Sequence, residues 1–107
     1  MEERRKHKRF ERIIGFRTSK TGVQENETIN IGLGGFCARI GDYFESGESI
    51  SVEIVLSNCT SIFCEGRIIW VYPETIQSPD REIGVEIIDI EKPHRQKLLQ
   101  ELYNKHY

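Results

Sequence analysis

The sequence predicts a mostly β domain: a six-stranded antiparallel β-barrel, closed or nearly closed, followed by a C-terminal α-helix. Three observations lead there. From about residue 13 onward, apolar and polar residues alternate in short segments, the period of strands with one packed face and one wet face. Turn-forming residues separate these segments at the intervals a meander needs. Near the C-terminus the alternation gives way to helical spacing. Strands this short and this numerous in a small chain favour closure, which removes exposed sheet edges.

The elements follow in order. The first ten residues, MEERRKHKRF, hold almost nothing apolar and form a basic arm rather than part of the core. Lys20-Thr21-Gly22 marks the first turn. Phe36, Ala38 and Ile40 alternate, and Gly41-Asp42 and Glu45-Ser46-Gly47 then turn the chain. Ile50, Val52, Ile54 and Leu56 give the clearest strand, closed by Ser57-Asn58. Ile62, Cys64, Gly66, Ile68, Trp70 and Tyr72 read as one face of a long strand. A polar connection from Pro73 to Asp80 leads to Ile83, Val85 and Ile87. Pro93 suits the first turn of a helix, and Leu98, Leu99, Leu102 and Tyr103 form its apolar stripe over about three turns.

At 107 residues and 37% hydrophobic, the chain suits one domain with a single modest core, residues 1–107, with residues 1–10 as its mobile arm. No apolar run approaches the roughly 20 residues of a membrane span, so a soluble, cytoplasmic protein without direct membrane insertion is expected. Cys37, Cys59 and Cys64 are an odd number without paired spacing, which predicts reduced thiols and no metal site. His7, His94 and His106 stand apart from any nucleophile, and no carboxylate pattern marks a general acid or base, so no enzyme activity and no cofactor are expected.

The net charge of −2 conceals an asymmetry. Residues 1–12 carry six of the fifteen basic residues against three acids, leaving the rest of the chain with nine basic and fourteen acidic groups. A nucleic-acid binder spreads positive charge over its folded face and interleaves aromatics, and here only Phe10 lies near the arm. Nucleic acid is therefore not an expected partner. Alone, the basic run reads as a solvated tail, or as a helix with Arg5 and Arg9 on one face. Alone, Asn30-Ile31-Gly32-Leu33-Gly34-Gly35-Phe36 reads as a tight bend between strands; as a dinucleotide fingerprint it fails at Cys37 and no helix follows.

Together, Arg5-x-x-x-Arg9 and Asn30-x-Gly32-x-x-Gly35 resemble the paired motifs RxxxR and [D/N]xSxxG of the PilZ domain family, in the same order. GRIIWVYP and IGVEIIDI look like its late strands, so the resemblance spans nearly the whole chain. It implies a barrel with a C-terminal helix, and binding of the bacterial second messenger cyclic di-GMP through Arg4, Arg5, Arg9, Asn30, Gly32 and Gly35. It also implies a downstream protein effector, and its alternative is a PilZ-like interaction module that no longer binds the nucleotide. The chemistry agrees. Guanine exposes O6 and N7 acceptors that an arginine fork engages bidentately, and a guanidinium also pairs with phosphate. Asn30 can donate and accept, while Gly35 permits close approach of the backbone. Gly32 departs from the family's serine and removes a hydroxyl, so restoring serine is expected to tighten binding if the backbone there has a negative φ. Arg4, just before the motif, implies a stacked pair of ligands rather than one, because a second molecule needs added charge and a further planar partner.

Overall fold

The computed structural model of the chain describes residues 7–73 and 80–103. Seven strands and one helix are present among them: β1 (Arg9–Phe10), β2 (Gly15–Thr18), β3 (Asn26–Gly32), β4 (Gly35–Ile40), β5 (Ser49–Val55), β6 (Ser61–Tyr72), β7 (Arg81–Ile90) and α1 (Lys92–Tyr103). Every pairing is antiparallel. Strands β2, β5, β6, β7, β4 and β3 follow one another around a ring that the β3–β4 pairing closes, and β1 is an additional short strand on β3. The six-stranded barrel with a C-terminal helix is thus the fold. No helix among the described residues is long and apolar enough to cross a membrane.

The barrel interior is filled by the alternate residues that the strand pattern marks. Phe16, Ile31, Phe36, Ala38, Ile54, Ile62, Ile68, Ile83 and Val85 are fully buried there, with Phe16 and Phe36 packed at 4.9 Å between ring centroids. Burying each such side chain contributes roughly 1.5–3 kcal/mol relative to exposure. One face differs from the sequence expectation. A bulge between Ile68 and Trp70 inverts the end of β6, so Val71 enters the core while Trp70 and Tyr72 face outward, Tyr72 at 74% exposure. The Trp70 indole lies where a side chain at Gly84 would stand, so the two positions share one space across β6 and β7.

Strands β1 and β2 occupy the same edge of β3 in succession. Arg9 and Phe10 pair with Gly32 and Ile31, whereas Gly15 and Phe16 pair with Glu27 and Asn26. The break between them is bridged by buried Thr28, whose hydroxyl accepts from Ile14 N at 3.0 Å and donates to the Arg12 carbonyl at 2.7 Å. The side chain thereby supplements the backbone bond that Thr28 N donates to Ile14 O at 3.0 Å.

Helix α1 places Leu98 and Leu102 in the core, and its first turn is held to β6 where His94 Nδ1 lies 3.0 Å from Phe63 N. Tyr103 is 57% exposed, yet it meets Phe10 edge-on at 5.0 Å. Glu101, on the same face as Leu98 and Leu102, is 8% exposed and accepts from the Ser57 hydroxyl at 3.0 Å and from Arg12 at 3.3 Å. The helix is therefore tied both to the β5–β6 turn and to the chain between β1 and β2. Glu101→Ala leaves these donors without their acceptor; since Arg12 is 30% exposed and partly rehydrates, the expected loss is about 1–3 kcal/mol, read by denaturant unfolding.

The β5–β6 turn carries one backbone outlier. Cys59 N donates to Leu56 O at 2.9 Å, and Cys59 adopts φ 65°, the left-handed position that usually falls to glycine in such a hairpin. Cys59→Gly is expected to raise stability by up to about 1 kcal/mol, visible as a higher melting temperature.

Candidate functional site

The end of the arm and the glycine-rich bend meet on the outer wall of the barrel. Phe36 and Ala38 point inward, so Gly35 and Cys37 on β4 face out, as do their neighbours Gly32 and Asn30 on β3. Strand β1 sets Arg9 beside Gly32 on the same face. From there the Arg9 guanidinium reaches Asn30, donating to Oδ1 at 2.8 Å, and lies 3.6 Å from Cys37 Sγ. Cys37 faces away from the core and is nevertheless only 8% exposed, because Arg9 covers it.

The glycines explain how the arm fits. A Cβ at Gly32 would collide with the Lys8 carbonyl oxygen, and one at Gly34 would stand 3.0 Å from the His7 ring. The bare backbone of the bend is the seat on which residues 7–9 lie. Gly35 makes room on the other side: a Cβ there would strike the Val85 carbonyl and the Glu86 Cα, so its lack of a side chain lets β4 and β7 approach. Gly34 O completes this contact by accepting from Ile87 N at 2.9 Å.

Beside the arm opens a cleft of about 650 Å³. His7, Arg9 and Gly34 line one side, Glu86, Ile88 and Asp89 of β7 the other, with Leu33, Ile69 and Arg95 of α1 around them. It is open, mixed in polarity, and combines two guanidiniums, Arg9 held by Asn30 and Arg95 of α1, with two carboxylates. Such a wall can take a planar, multiply hydrogen-bonding anion along its surface.

Of the residues singled out from the sequence, Arg9, Asn30, Gly32 and Gly35 therefore come together, and Arg4 and Arg5 lie outside the described residues. The sequence reading did not find the roles of Cys37, Arg12 and Glu101. A signal existed for Glu101, a lone acid at helical spacing with Leu98 and Leu102. No group of three or more potential metal ligands gathers among the described residues, and burial, reinforced by the Glu65 carboxylate, pushes the Cys64 thiol up to about 12. At neutral pH that thiol stays protonated and unreactive.

A closed barrel with its candidate site on the outside wall, seating an arginine-bearing arm, is the class of module that fold and site define. The PilZ domain family model matches residues 3–104, and the chain belongs to that family. Among solved structures, it is similar to the Bacillus subtilis inhibitor of motility MotI/DgrA, at 24% identity and a TM-score of 0.78, covering 94% of this chain and 49% of that one. It is also similar to the PilZ domain of Escherichia coli YcgR with c-di-GMP, at 10% identity and a TM-score of 0.72, covering 94% and 90%. The complex of Escherichia coli YcgR with c-di-GMP matches at 14% identity and a TM-score of 0.69, covering 92% and 44%. The chain thus spans about half the length of MotI/DgrA. No curated protein matches it in sequence.

The seat also bears on Gly32. Its φ is not positive, so backbone angle does not bar a serine; the Lys8 carbonyl does. Gly32→Ser is therefore expected to push β1 off β3 and separate Arg9 from Asn30, contrary to the gain in binding that the missing hydroxyl alone suggests. Faster amide exchange at Arg9 and Phe10 would report it, and unchanged exchange would show that the seat accommodates a side chain.

Proposed function

We propose that this PilZ domain is a receptor for cyclic di-GMP, acting as a binding module rather than an enzyme. The observation that carries the reading is the 2.8 Å bond from Arg9 to Asn30: residues of two motifs 21 positions apart share one point on the barrel wall, at the mouth of an open cleft. Membership of the family supports it, as does the fold shared with the YcgR domain with c-di-GMP. Arg9 donates only through one terminal nitrogen to the described residues, so the rest of its fork is available for a guanine edge or a phosphate. Arg4 and Arg5 precede Arg9 in the sequence by five and four residues, and in this reading they supply further charge for the ligand phosphates.

The switch is the arm. Ligand contacts to Arg4 and Arg5 bias residues 1–8 toward one position over the wall that carries Asn30, and a protein effector in the cytoplasm reads the surface so formed. The domain operates as a single unit over residues 1–107, with no metal or cofactor.

Calorimetry with cyclic di-GMP tests both affinity and stoichiometry. The wild type is expected to saturate near two ligands per chain and Arg4→Ala nearer one. Arg5→Ala and Arg9→Ala each lose charge-assisted bonds, weakening binding by roughly 10- to 150-fold. No heat and no rise in melting temperature at about 100 μM ligand would overturn the receptor reading in favour of an interaction module. Saturation at one ligand, unaltered by Arg4→Ala, would overturn the pair alone.

A further inference from the structure

Resting on the receptor reading, we propose that Glu86 is the residue that selects guanine over adenine in the bound cyclic dinucleotide. A cleft for a ligand with two phosphates has no electrostatic use for a carboxylate, yet Glu86 lines this one opposite Arg9. The strand register fixes that arrangement. Arg9, Gly32, Gly35, Glu86 and Arg67 occupy one cross-strand row over β1, β3, β4, β7 and β6, all on the outer face. The two positions between Arg9 and Glu86 are glycines, so no side chain from β3 or β4 stands between the cation and the anion.

Glu86 is exposed, and its carboxylate has no hydrogen-bond or ion-pair partner among the described residues. Asp89 on the same wall shares this property, and what sets Glu86 apart is its place in the cross-strand row with Arg9. Arg67 is its cross-strand neighbour on β6, and Glu82, four residues earlier on the same strand, bonds its own neighbour Arg39 at 3.1 Å. Glu53, Glu65 and Glu25 on the outer surface are also bonded. Glu86 therefore stands as an acceptor pair facing the cleft without an internal partner.

Guanine supplies what such a pair accepts. Its Watson–Crick edge carries two adjacent donors, N1–H and N2–H2, which the two oxygens of a carboxylate receive side by side, while O6 and N7 on the neighbouring Hoogsteen edge accept from an arginine. A site with a guanidinium on one side and a carboxylate on the other reads both edges of one base. Adenine turns a lone pair at N1 toward the same carboxylate and has no 2-amino group, so it meets repulsion there and loses both bonds.

The competing account treats Glu86 as an ordinary surface acid that repels phosphate. The two accounts differ in sign. If it only repels, Glu86→Gln and Glu86→Ala tighten every cyclic dinucleotide. If it reads guanine, they weaken cyclic di-GMP and leave cyclic di-AMP unchanged or tighter. Calorimetry of the wild type, both Glu86 variants and the charge-matched control Glu82→Gln, with each dinucleotide, separates them. The wild type is expected to prefer cyclic di-GMP by roughly 10- to 100-fold, a preference that both Glu86 variants largely lose and Glu82→Gln keeps. Glu86 is exposed, so equal melting temperatures without ligand verify that the variants fold. Cyclic di-GMP binding as tight in the Glu86 variants as in the wild type, with the preference intact, overturns this inference and leaves the receptor standing. A wild type that binds neither dinucleotide overturns the receptor reading and this inference with it.

Discussion

A polypeptide backbone can lie flat on the outside of a β-barrel only where the barrel presents no side chains, and this constraint organises the molecule. Residues 32–35 supply three glycines; the Lys8 carbonyl and His7 ring occupy the space that side chains at Gly32 and Gly34 would fill, and β7 closes on Gly35. Once the backbone is seated, β1 can pair with β3, and Arg9 is delivered to Asn30 without needing burial of its own. The glycine-rich bend is thus less a loop that turns the chain than a bed for the arm. Its cost is conformational entropy at each glycine in the unfolded chain, a loss of roughly 0.5–1 kcal/mol relative to alanine per position. The apolar contacts of Phe10 with the core and with Tyr103 act in the opposite direction.

Charge and packing divide the work of holding the arm's end. Arg12 bonds Glu101 and the Leu102 carbonyl of α1, and Thr28 closes the break between β1 and β2, so the chain just after the arm is fixed to both the helix and the barrel. Beyond residue 12 the chain carries a net negative charge, and the basic residues before it experience a general attraction that is weak at physiological salt beyond about 8 Å. Specific position therefore comes from short-range contacts. Arg9 is the only arginine of the paired motif whose position those contacts determine among the described residues.

Much of this was legible in the sequence because alternation and turn chemistry are local signals. Ile50 to Leu56 and Phe36 to Ile40 bury the side chains that alternation selects, and Pro93 opens the helix. The inversion after Ile68 was not legible, since a bulge arises from the fit between β6 and β7 and leaves no residue pattern of its own within β6. Gly84 was the remote half of that signal: it provides the space that Trp70 fills from the neighbouring strand. The candidate site divides in the same way. Motif spacing could bring Arg9, Asn30 and Gly35 to notice, but only strand register could place Cys37 beneath Arg9 and Glu86 across from it.

The spacing of the arginine motif acquires a physical meaning from the anchored strand end. With Arg9 fixed, Arg5 is four residues away, and a fully extended chain of that length spans at most about 14 Å. That is about three strand spacings of the sheet, the distance from β1 across β3 and β4 to β7. The four-residue spacing of the motif thus matches the reach from Arg9 to the β7 side of the cleft. In the receptor reading proposed above, that short reach would make contact of both arginines with one ligand an intramolecular event, whose loop-closure cost is small because the segment is short. In the same reading the switch is limited to the residues before this anchored strand end, because Arg12 and Glu101 join the chain just after it to the helix.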